Sequence, residues 1–401
     1  MAEDSGAGAL FEILVLNAIS ARGLARLPAD RYRTTKDSAT PHAVLVRSAD
    51  LQGRVLPQSV LAVARAGAGT NNIPVAALSA RGVPVFNAPG ANANAVKELV
   101  LAAMLMSARQ LAPALRFVAA LDVESKQLDK VVEDGKKAFA GFEIAGHTLG
   151  IVGLGKVGCL VADAAIKLGM AVHGFDPHIT VDAAWSLPAQ VKRAASVDDV
   201  LKRADFVSLH VPLIDATRHL VGHHNLGLMH PGAVLLNFSR EGVVDEAAVL
   251  AALDAAQLGG YACDFPSAAT HGHARVLALP HLGASTAEAE ENCAVMVVDQ
   301  LRDFLEHGNV VNAVNFPSVA MARESAHRVA IANANVPNML GQISTAMAGA
   351  GLNIHNMVNK SRGDMAYTLV DVDSPVTAPV LAMLRAIEGV LSVRDLPAPG
   401  G

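Results

Sequence analysis

Short apolar runs alternate with helical patterns along almost the whole chain. Residues 12–16, 43–47, 61–65 and 83–87 each read as a short strand buried on both faces. Their spacing, roughly 20–30 residues, is that of βα units feeding a parallel sheet. Residues 95–111 are rich in Ala, Leu and Met without Gly or Pro, which predicts a helix. That helix is apolar on more than one face, as a helix in a subunit contact is, so a homodimer or homotetramer is expected. Residues 118–137 are charged, hold no strand pattern, and read as a helix or lid leading to the next domain.

A second series begins at Thr148. Strands are predicted at 148–152, 171–175, 206–209, 233–238, 260–263 and 276–279, with helices between them that include 157–168 and 246–256. This is the layout of a doubly wound dinucleotide-binding domain. Residues 288–307 form a long helical pattern with acidic residues in its first turns and Gly308 after its end, long enough to return the chain to the first domain. Asn315-Phe316-Pro317-Ser318 reads as a linker. From His327 the order becomes strand 327–333, helix 337–350, strands 352–359 and 365–373, helix 376–387 and strand 390–394, a ferredoxin-like βαββαβ module. The expected fold class is therefore α/β, with two doubly wound Rossmann-like parallel-sheet domains and this module. The expected boundaries are 1–93 with 286–315 for the first domain, 94–285 for the second and 325–397 for the third.

Composition narrows the function classes. The 401 residues are 52% hydrophobic and allow sizeable cores, enough for two to three domains of roughly 100–200 residues. A net charge of −5 argues against a nucleic-acid surface, and no apolar run approaches the roughly 20 residues of a membrane helix. The N-terminal stretch carries Glu3 and Asp4 and lacks the basic start of a signal peptide. Cys159, Cys263 and Cys293 show neither CxxC nor metal-ligand spacing, so reduced thiols, a cytoplasmic location and no metal are expected.

The chemistry concentrates at predicted strand ends. Gly153, Gly155 and Gly158 form GxGxxG directly after a strand and at the opening of a helix. The first allows a tight turn, the second lets the backbone approach a pyrophosphate, and the third lets helix pack on strand. The phosphates then meet free N–H groups at the helix N-terminus. Asp176 ends the next strand, where a carboxylate accepts from the adenosine ribose and repels a 2′-phosphate; no Arg follows it, which favours NAD over NADP. The His210–Leu213 stretch, including Pro212, would cover the dinucleotide. Arg240 stands just past strand 233–238, next to Phe238 and Ser239, where a guanidinium can clamp a carboxylate bidentately. Asp264 ends another strand and could accept from a nicotinamide carboxamide.

His281, after Leu279-Pro280, can carry a proton near neutral pH, the unperturbed pKa of His being about 6.5. Alone, a Pro-His pair is more often a structural turn. Placed after a nucleotide fingerprint and an Arg-bearing loop, it points to hydride transfer at a carbinol carbon, with His281 as acid/base. In the first half Arg47 and Arg65 follow short strands, with Gly67 in a Gly-rich loop and Asn87 before a helix; two cations there suit a substrate with more than one negative charge.

These segments resemble the D-isomer-specific 2-hydroxyacid dehydrogenases, and within them the branch that oxidises 3-phospho-D-glycerate. The matching stretches are 44–48, 65–72, 86–98, 153–176, 236–246 and 280–289, and the βαββαβ module resembles an ACT effector-binding domain. The resemblance implies that Arg240 binds the substrate carboxylate and keto oxygen, that His281 is the acid/base, and that Lys156, Val157, Gly283 and Ala284 join Gly153, Gly155, Asp176 and Asp264 around NAD. It implies oxidation to 3-phosphooxypyruvate, the first step of the phosphorylated route to serine. It also implies an L-serine effector site at Asn335 and Asn353 across a domain–domain interface, with Asn333 where a His is common. One departure stands out: the Glu that pairs with the catalytic His in the family is missing, since residues 265–280 hold no carboxylate. Asp264 or a carboxylate from elsewhere could take its place. Two other readings fit these residues: a dehydrogenase for another D-2-hydroxy acid such as glycerate or 2-hydroxyglutarate, and a non-catalytic NAD sensor on the same scaffold.

Overall fold

The computed structural model describes residues 10–122 and 127–396, and the chain divides into two compact units, residues 93–286 and residues 1–92 with 287–401. The discontinuous unit opens with a parallel sheet. Its strands are β1 (Phe11–Leu16), β2 (Tyr32–Thr35), β3 (Ala43–Val46), β4 (Ala62–Arg65) and β5 (Val85–Phe86), in the order β2-β1-β3-β4-β5. β3 is buried throughout, as apolar strands covered on both faces by helices are. β2 escapes the sequence pattern because its residues are mostly polar and it lies at the sheet edge.

The unit of residues 93–286 carries seven parallel strands: β6 (Thr148–Val152), β7 (Ala171–Phe175), β8 (Lys192–Arg193), β9 (Phe206–Leu209), β10 (Val234–Asn237), β11 (Gly260–Cys263) and β12 (Val276–Ala278). Their order, β12-β11-β10-β9-β6-β7-β8, reverses direction at β6, and ligands of such sheets bind beyond the strand carboxyl ends at that switch point. Edge strand β8 is two exposed cations and gives no apolar signal. The helix predicted at 95–111 runs Ala93–Ala108, and left-handed Gln110 (φ 51°) breaks it before a second helix, Leu111–Ala119, bent by 69° from the first. The first helix buries Val96, Val100, Ala103 and Met104 and exposes Leu105, while Leu111, Leu115 and Val118 are exposed on the second. Of the stretch read as a helix or lid, residues 123–126 lie outside the described residues, and Leu128–Gly135 is helical. No single helix among the described residues is long and apolar enough to cross a membrane.

The last four strands are β13 (His327–Ala334), β14 (Ile354–Arg362), β15 (Met365–Val372) and β16 (Val390–Leu396), antiparallel in the order β14-β15-β13-β16, with the Met339–Gly349 and Ala378–Arg385 helices between them. This is the ferredoxin-like order. One sheet face packs on its own helices through Val329, Ile331, Ile343, Met347 and Leu384. The other packs through Ala330, Tyr367 and Leu369 into the core around Phe304 and Phe316. The stretch read as a linker is therefore built in. Phe316 is fully buried, Asn315 Oδ1 accepts from Val85 N (2.9 Å), and its Nδ2 donates to Val83 O (3.0 Å). Arg328 and Asp371, both fully buried, form a bidentate pair at 2.6 and 2.9 Å.

Candidate active site

The Gly-rich turn has the geometry its sequence predicts. Gly153 is at φ +95°, and a Cβ there would lie 2.4 Å from His210 O. A Cβ on Gly158 would lie 2.0 Å from Gly153 O, so only Gly permits the helix to pack so close. Gly155 faces open space. It precedes the Lys156–Lys167 helix, whose first turn receives no side-chain cap, leaving N–H groups free for phosphate oxygens. Lys156 is exposed and Val157 half-buried at this turn. The Asp176 carboxylate closes the turn: Oδ2 accepts from Leu154 N (2.9 Å) and Oδ1 from His178 N (2.8 Å).

Beyond β9, Pro212 is exposed and its carbonyl accepts from Thr217 Oγ1. His210 hydrogen-bonds Ser208 Oγ at 2.8 Å, and burial holds its imidazole down at about 4. It is therefore neutral at physiological pH, which suits a structural position.

Arg240 follows β10 through a turn fixed by Asn237, a fully buried residue. Asn237 Oδ1 accepts from Ser239 N and Oγ, and Nδ2 donates to Arg240 O (2.9 Å). Phe238 packs its side chain into the core and leaves only its backbone for a ligand. The Arg240 side chain is exposed and donates to Ser239 O at 2.6 Å, with no carboxylate paired to it among the described residues. Asn237 was not singled out by sequence; its signal was an Asn at a strand end, two residues before a Ser.

Asp264 ends β11 and is buried. Its Oδ2 accepts from Gly283 N (3.3 Å), while Oδ1 is buried with no hydrogen-bond partner. Burial raises its pKa, opposed by the charge of His281, the Gly283 N–H and Arg240. An orphaned buried carboxylate oxygen is costly, and a carboxamide N–H would satisfy it. His281 donates its backbone N–H to Asp264 O (3.0 Å), sits in the left-handed region (φ 47°), and meets Phe265 edge-on at 5.1 Å between ring centroids. Its ring is exposed, and no carboxylate is ion-paired to it among the described residues. Ala284 is half-buried beside Gly283. The open Gly155, the uncapped helix start, Asp176 and the orphaned Asp264 oxygen together fit a bound dinucleotide.

The remaining candidates lie in the discontinuous unit. Arg65 ends β4, in register with Val46, so Arg47 follows on the adjacent strand. Arg65 Nε donates to Asn72 Oδ1 (3.0 Å), and Asn72 Nδ2 donates to Ala49 O (2.7 Å) and Arg47 O (3.4 Å). Arg47 pairs with Glu290. Gly67 leaves room for the Arg65 guanidinium, since a Cβ there would lie 2.5 Å from Nη1. Asn87 Nδ2 donates to Ala68 O. Asn72 closes the 65–72 stretch and Glu290 lies one residue past the 280–289 stretch, and the sequence gives neither its distant partner.

The three effector candidates separate. Asn333 is buried near one end of β13, with Oδ1 unpartnered. Asn335 is tied to the adjacent hairpin through Gly363 O (3.0 Å). Asn353, tied to Asp373 Oδ1, lies at the opposite end, beside the His327–Val372 pair, roughly 20 Å away at 3.3 Å per residue. The module does not bring all three together. No cluster of His, Cys, Asp or Glu among the described residues could hold a metal ion.

The model of the D-isomer specific 2-hydroxyacid dehydrogenase, NAD binding domain matches residues 101–283. The chain is 33% identical over 341 residues to D-3-phosphoglycerate dehydrogenase of Escherichia coli K12, covering 82% of this chain and 79% of that one. It is 36% identical over 286 residues to the Synechocystis protein of that name, covering 69% and 49%. Among solved structures, the NAD+-bound 3-phosphoglycerate dehydrogenase of Entamoeba histolytica aligns with a TM-score of 0.60 at 23% identity, over 76% of this chain and 99% of that one. D-2-hydroxyisocaproate dehydrogenase aligns at 0.62 and 20% identity, over 76% and 99%; these two likenesses speak for the fold. The chain belongs to the D-isomer-specific 2-hydroxyacid dehydrogenases and is an NAD-dependent oxidoreductase.

Proposed function

We propose that this enzyme oxidises 3-phospho-D-glycerate to 3-phosphooxypyruvate, the first step of phosphorylated serine synthesis. The observation that carries the reading is the 33% identity to a D-3-phosphoglycerate dehydrogenase over 82% of the chain. Arg47 and Arg65 at adjacent strand ends support it, since a phosphorylated hydroxy acid carries more than one negative charge. Bound NAD supplies the hydride acceptor. Arg240 binds the carboxylate and polarises the C2 oxygen, and His281 takes the C2 hydroxyl proton. Gly153, Gly155, Lys156, Val157 and Gly158 hold the pyrophosphate, Asp176 the ribose, and Asp264, Gly283 and Ala284 the nicotinamide end, with Pro212, Phe238 and Ser239 lining the dinucleotide. Residues 94–285 serve as the NAD domain, 1–93 with 286–315 as the substrate domain carrying Gly67 and Asn87, and 325–397 as the regulatory ACT domain.

L-Serine is the proposed effector. The distance between Asn353 and the Asn333–Asn335 end means a site using all three needs a second copy of the module, in line with a homo-oligomer. Exposed Leu111, Leu115 and Val118 support a subunit contact, and three free, buried cysteines support a cytoplasmic location. The test is NADH formation at alkaline pH from 3-phospho-D-glycerate, D-glycerate and D-2-hydroxyglutarate. A kcat/KM for the phosphorylated substrate no higher than for the other two would remove the assignment.

A further inference from the structure

A cavity of about 310 Å³ lies where the ferredoxin-like sheet edge meets the turn after the Val75–Ala80 helix. Arg81 lines it from the turn, and Arg385 and Arg394 from the Ala378–Arg385 helix end and β16. No carboxylate lines it, and none of the three guanidinium groups has an ion-pair partner among the described residues. This sets them apart from Arg22, Arg26, Arg31, Arg47, Arg203, Arg302 and Arg328, each of which faces a carboxylate. Their hydrogen bonds go to neutral carbonyls instead. Arg81 donates to Leu56 O and Pro57 O, with its Nε buried and unpartnered. Arg385 donates to Val393 O (3.1 Å), and Arg394 to Phe304 O and Leu305 O while lying 4.3 Å from the Phe304 ring centre. Desolvation lowers the pKa of the Arg394 guanidinium, as expected for a half-buried cation without a counter-ion.

Three uncompensated guanidinium groups around one cavity form an electrostatic well for an anion. The volume matches the lower end of small-molecule sites. We propose that this cavity binds a small organic polyanion, a phosphate ester or a di- or tricarboxylate. Such a ligand links two parts of the chain that the unliganded contact joins through Ser392 Oγ donating to Gly82 O (3.2 Å). It is therefore placed to set how firmly the βαββαβ module is held on the parallel sheet. The site shares no residue with the proposed NAD, substrate or L-serine positions, so it stands independently of those roles.

The experiment is calorimetric titration of the full chain with inorganic phosphate and, separately, citrate, at low and high KCl. Four proteins are compared: wild type, Arg385→Ala, Arg385→Glu and Arg240→Ala. Arg385 is exposed, so its variants keep the wild-type thermal midpoint and basal turnover without added anion. The expected result is binding in wild type and Arg240→Ala alike, weakened at least about tenfold in Arg385→Ala and further in Arg385→Glu, and weaker at high salt. Binding of phosphate alone assigns a phosphate ester, binding of citrate alone a polycarboxylate, and either supports the site. No binding to wild type, equal binding to Arg385→Ala, or loss of binding in Arg240→Ala would each overturn it, the last by sending the anion to the dehydrogenase site. Failure of the phosphoglycerate reading would appear separately, in the substrate comparison.

Discussion

The backbone N–H of His281 donates to the carbonyl oxygen of Asp264 at 3.0 Å, so the residue bearing the proposed acid/base is anchored on the residue bearing a buried, half-satisfied carboxylate. The family's usual Glu partner is absent from the 265–280 segment. Asp264 is the carboxylate that senses both His281 and Arg240. It can stabilise the imidazolium that forms when the hydroxyl proton is taken.

Asp264→Asn tests this, and its two effects run in opposite directions. Activity falls by at least about tenfold, the lower end of what a proton-transfer residue contributes. Stability rises at neutral pH. Burial raises the folded-state pKa of Asp264, so the native state holds its proton more tightly than the unfolded chain. Its contribution therefore falls as pH climbs from the unfolded value near 3.8 through the raised folded value, and Asn escapes that loss. Thermal melts at pH 7 and pH 3 check the sign: the variant gains at pH 7 and the gain vanishes at pH 3. Wild-type turnover in Asp264→Asn would give the stabilising role to another group.

His281→Asn and Arg240→Ala separate proton transfer from substrate binding. The first lowers kcat by about 10²–10⁴-fold while NADH affinity, read by fluorescence titration, stays near wild type. The second raises KM and lowers kcat together, and Arg240→Lys does not restore it, because a point charge cannot replace the planar fork. The turn that aims Arg240 rests on Asn237, so Asn237→Ala reproduces part of the Arg240→Ala defect without removing the cation.

The strands and the Gly turn were legible because apolar runs and GxGxxG encode burial and a tight turn locally. Edge strands β2 and β8 were not, since an edge needs little burial and can be polar. The break at Gln110 was hidden because the Ala/Leu-rich pattern continues across it, and only a left-handed φ interrupts the ladder. The 315–318 stretch looks like a linker because Pro and Asn are turn formers. What decides its state is Phe316, which finds Tyr367 51 positions further along the chain. Asn237 fixes a local turn whose only signal is an Asn at a strand end, whereas Asn72 and Glu290 act through partners distant in sequence, contacts that no local pattern encodes. The left-handed His281 was equally invisible, although a non-Gly residue held there is a mark of functional sites.

Two glycines in one turn give opposite outcomes. A methyl at Gly155 meets nothing within 4 Å, and its φ of −78° suits any residue, so Gly155→Ala folds normally. The methyl instead occupies the space a pyrophosphate needs, and the NAD dissociation constant rises about tenfold or more with an unchanged Tm. A methyl at Gly158 would sit 2.0 Å from Gly153 O, so Gly158→Ala shifts the helix and lowers the Tm as well. Equal Tm losses in both would contradict the open geometry at Gly155.

The buried Arg328–Asp371 pair predicts how the discontinuous unit responds to acid. Arg328 also donates to His307 O (3.1 Å), Met321 O (2.9 Å) and Ala322 O (2.8 Å), so one side chain fastens the end of the long helix and the entry to β13. Burial alone would raise the Asp371 pKa, but the Arg328 hydrogen bonds and charge outweigh it and hold the carboxyl below the usual range. A depressed folded-state pKa gives stability that is present above the unfolded value near 3.8 and lost as pH falls through the folded one. Arg328→Met leaves a buried carboxylate unpaired and costs about 3–5 kcal/mol in urea unfolding at pH 7, and Asp371→Asn costs less because Asn can still accept from Glu324 N. Arg328→Met combined with Asp371→Leu recovers part of the loss and flattens the stability profile between pH 5 and pH 3. A double variant as acid-sensitive as wild type would move that sensitivity to another carboxylate.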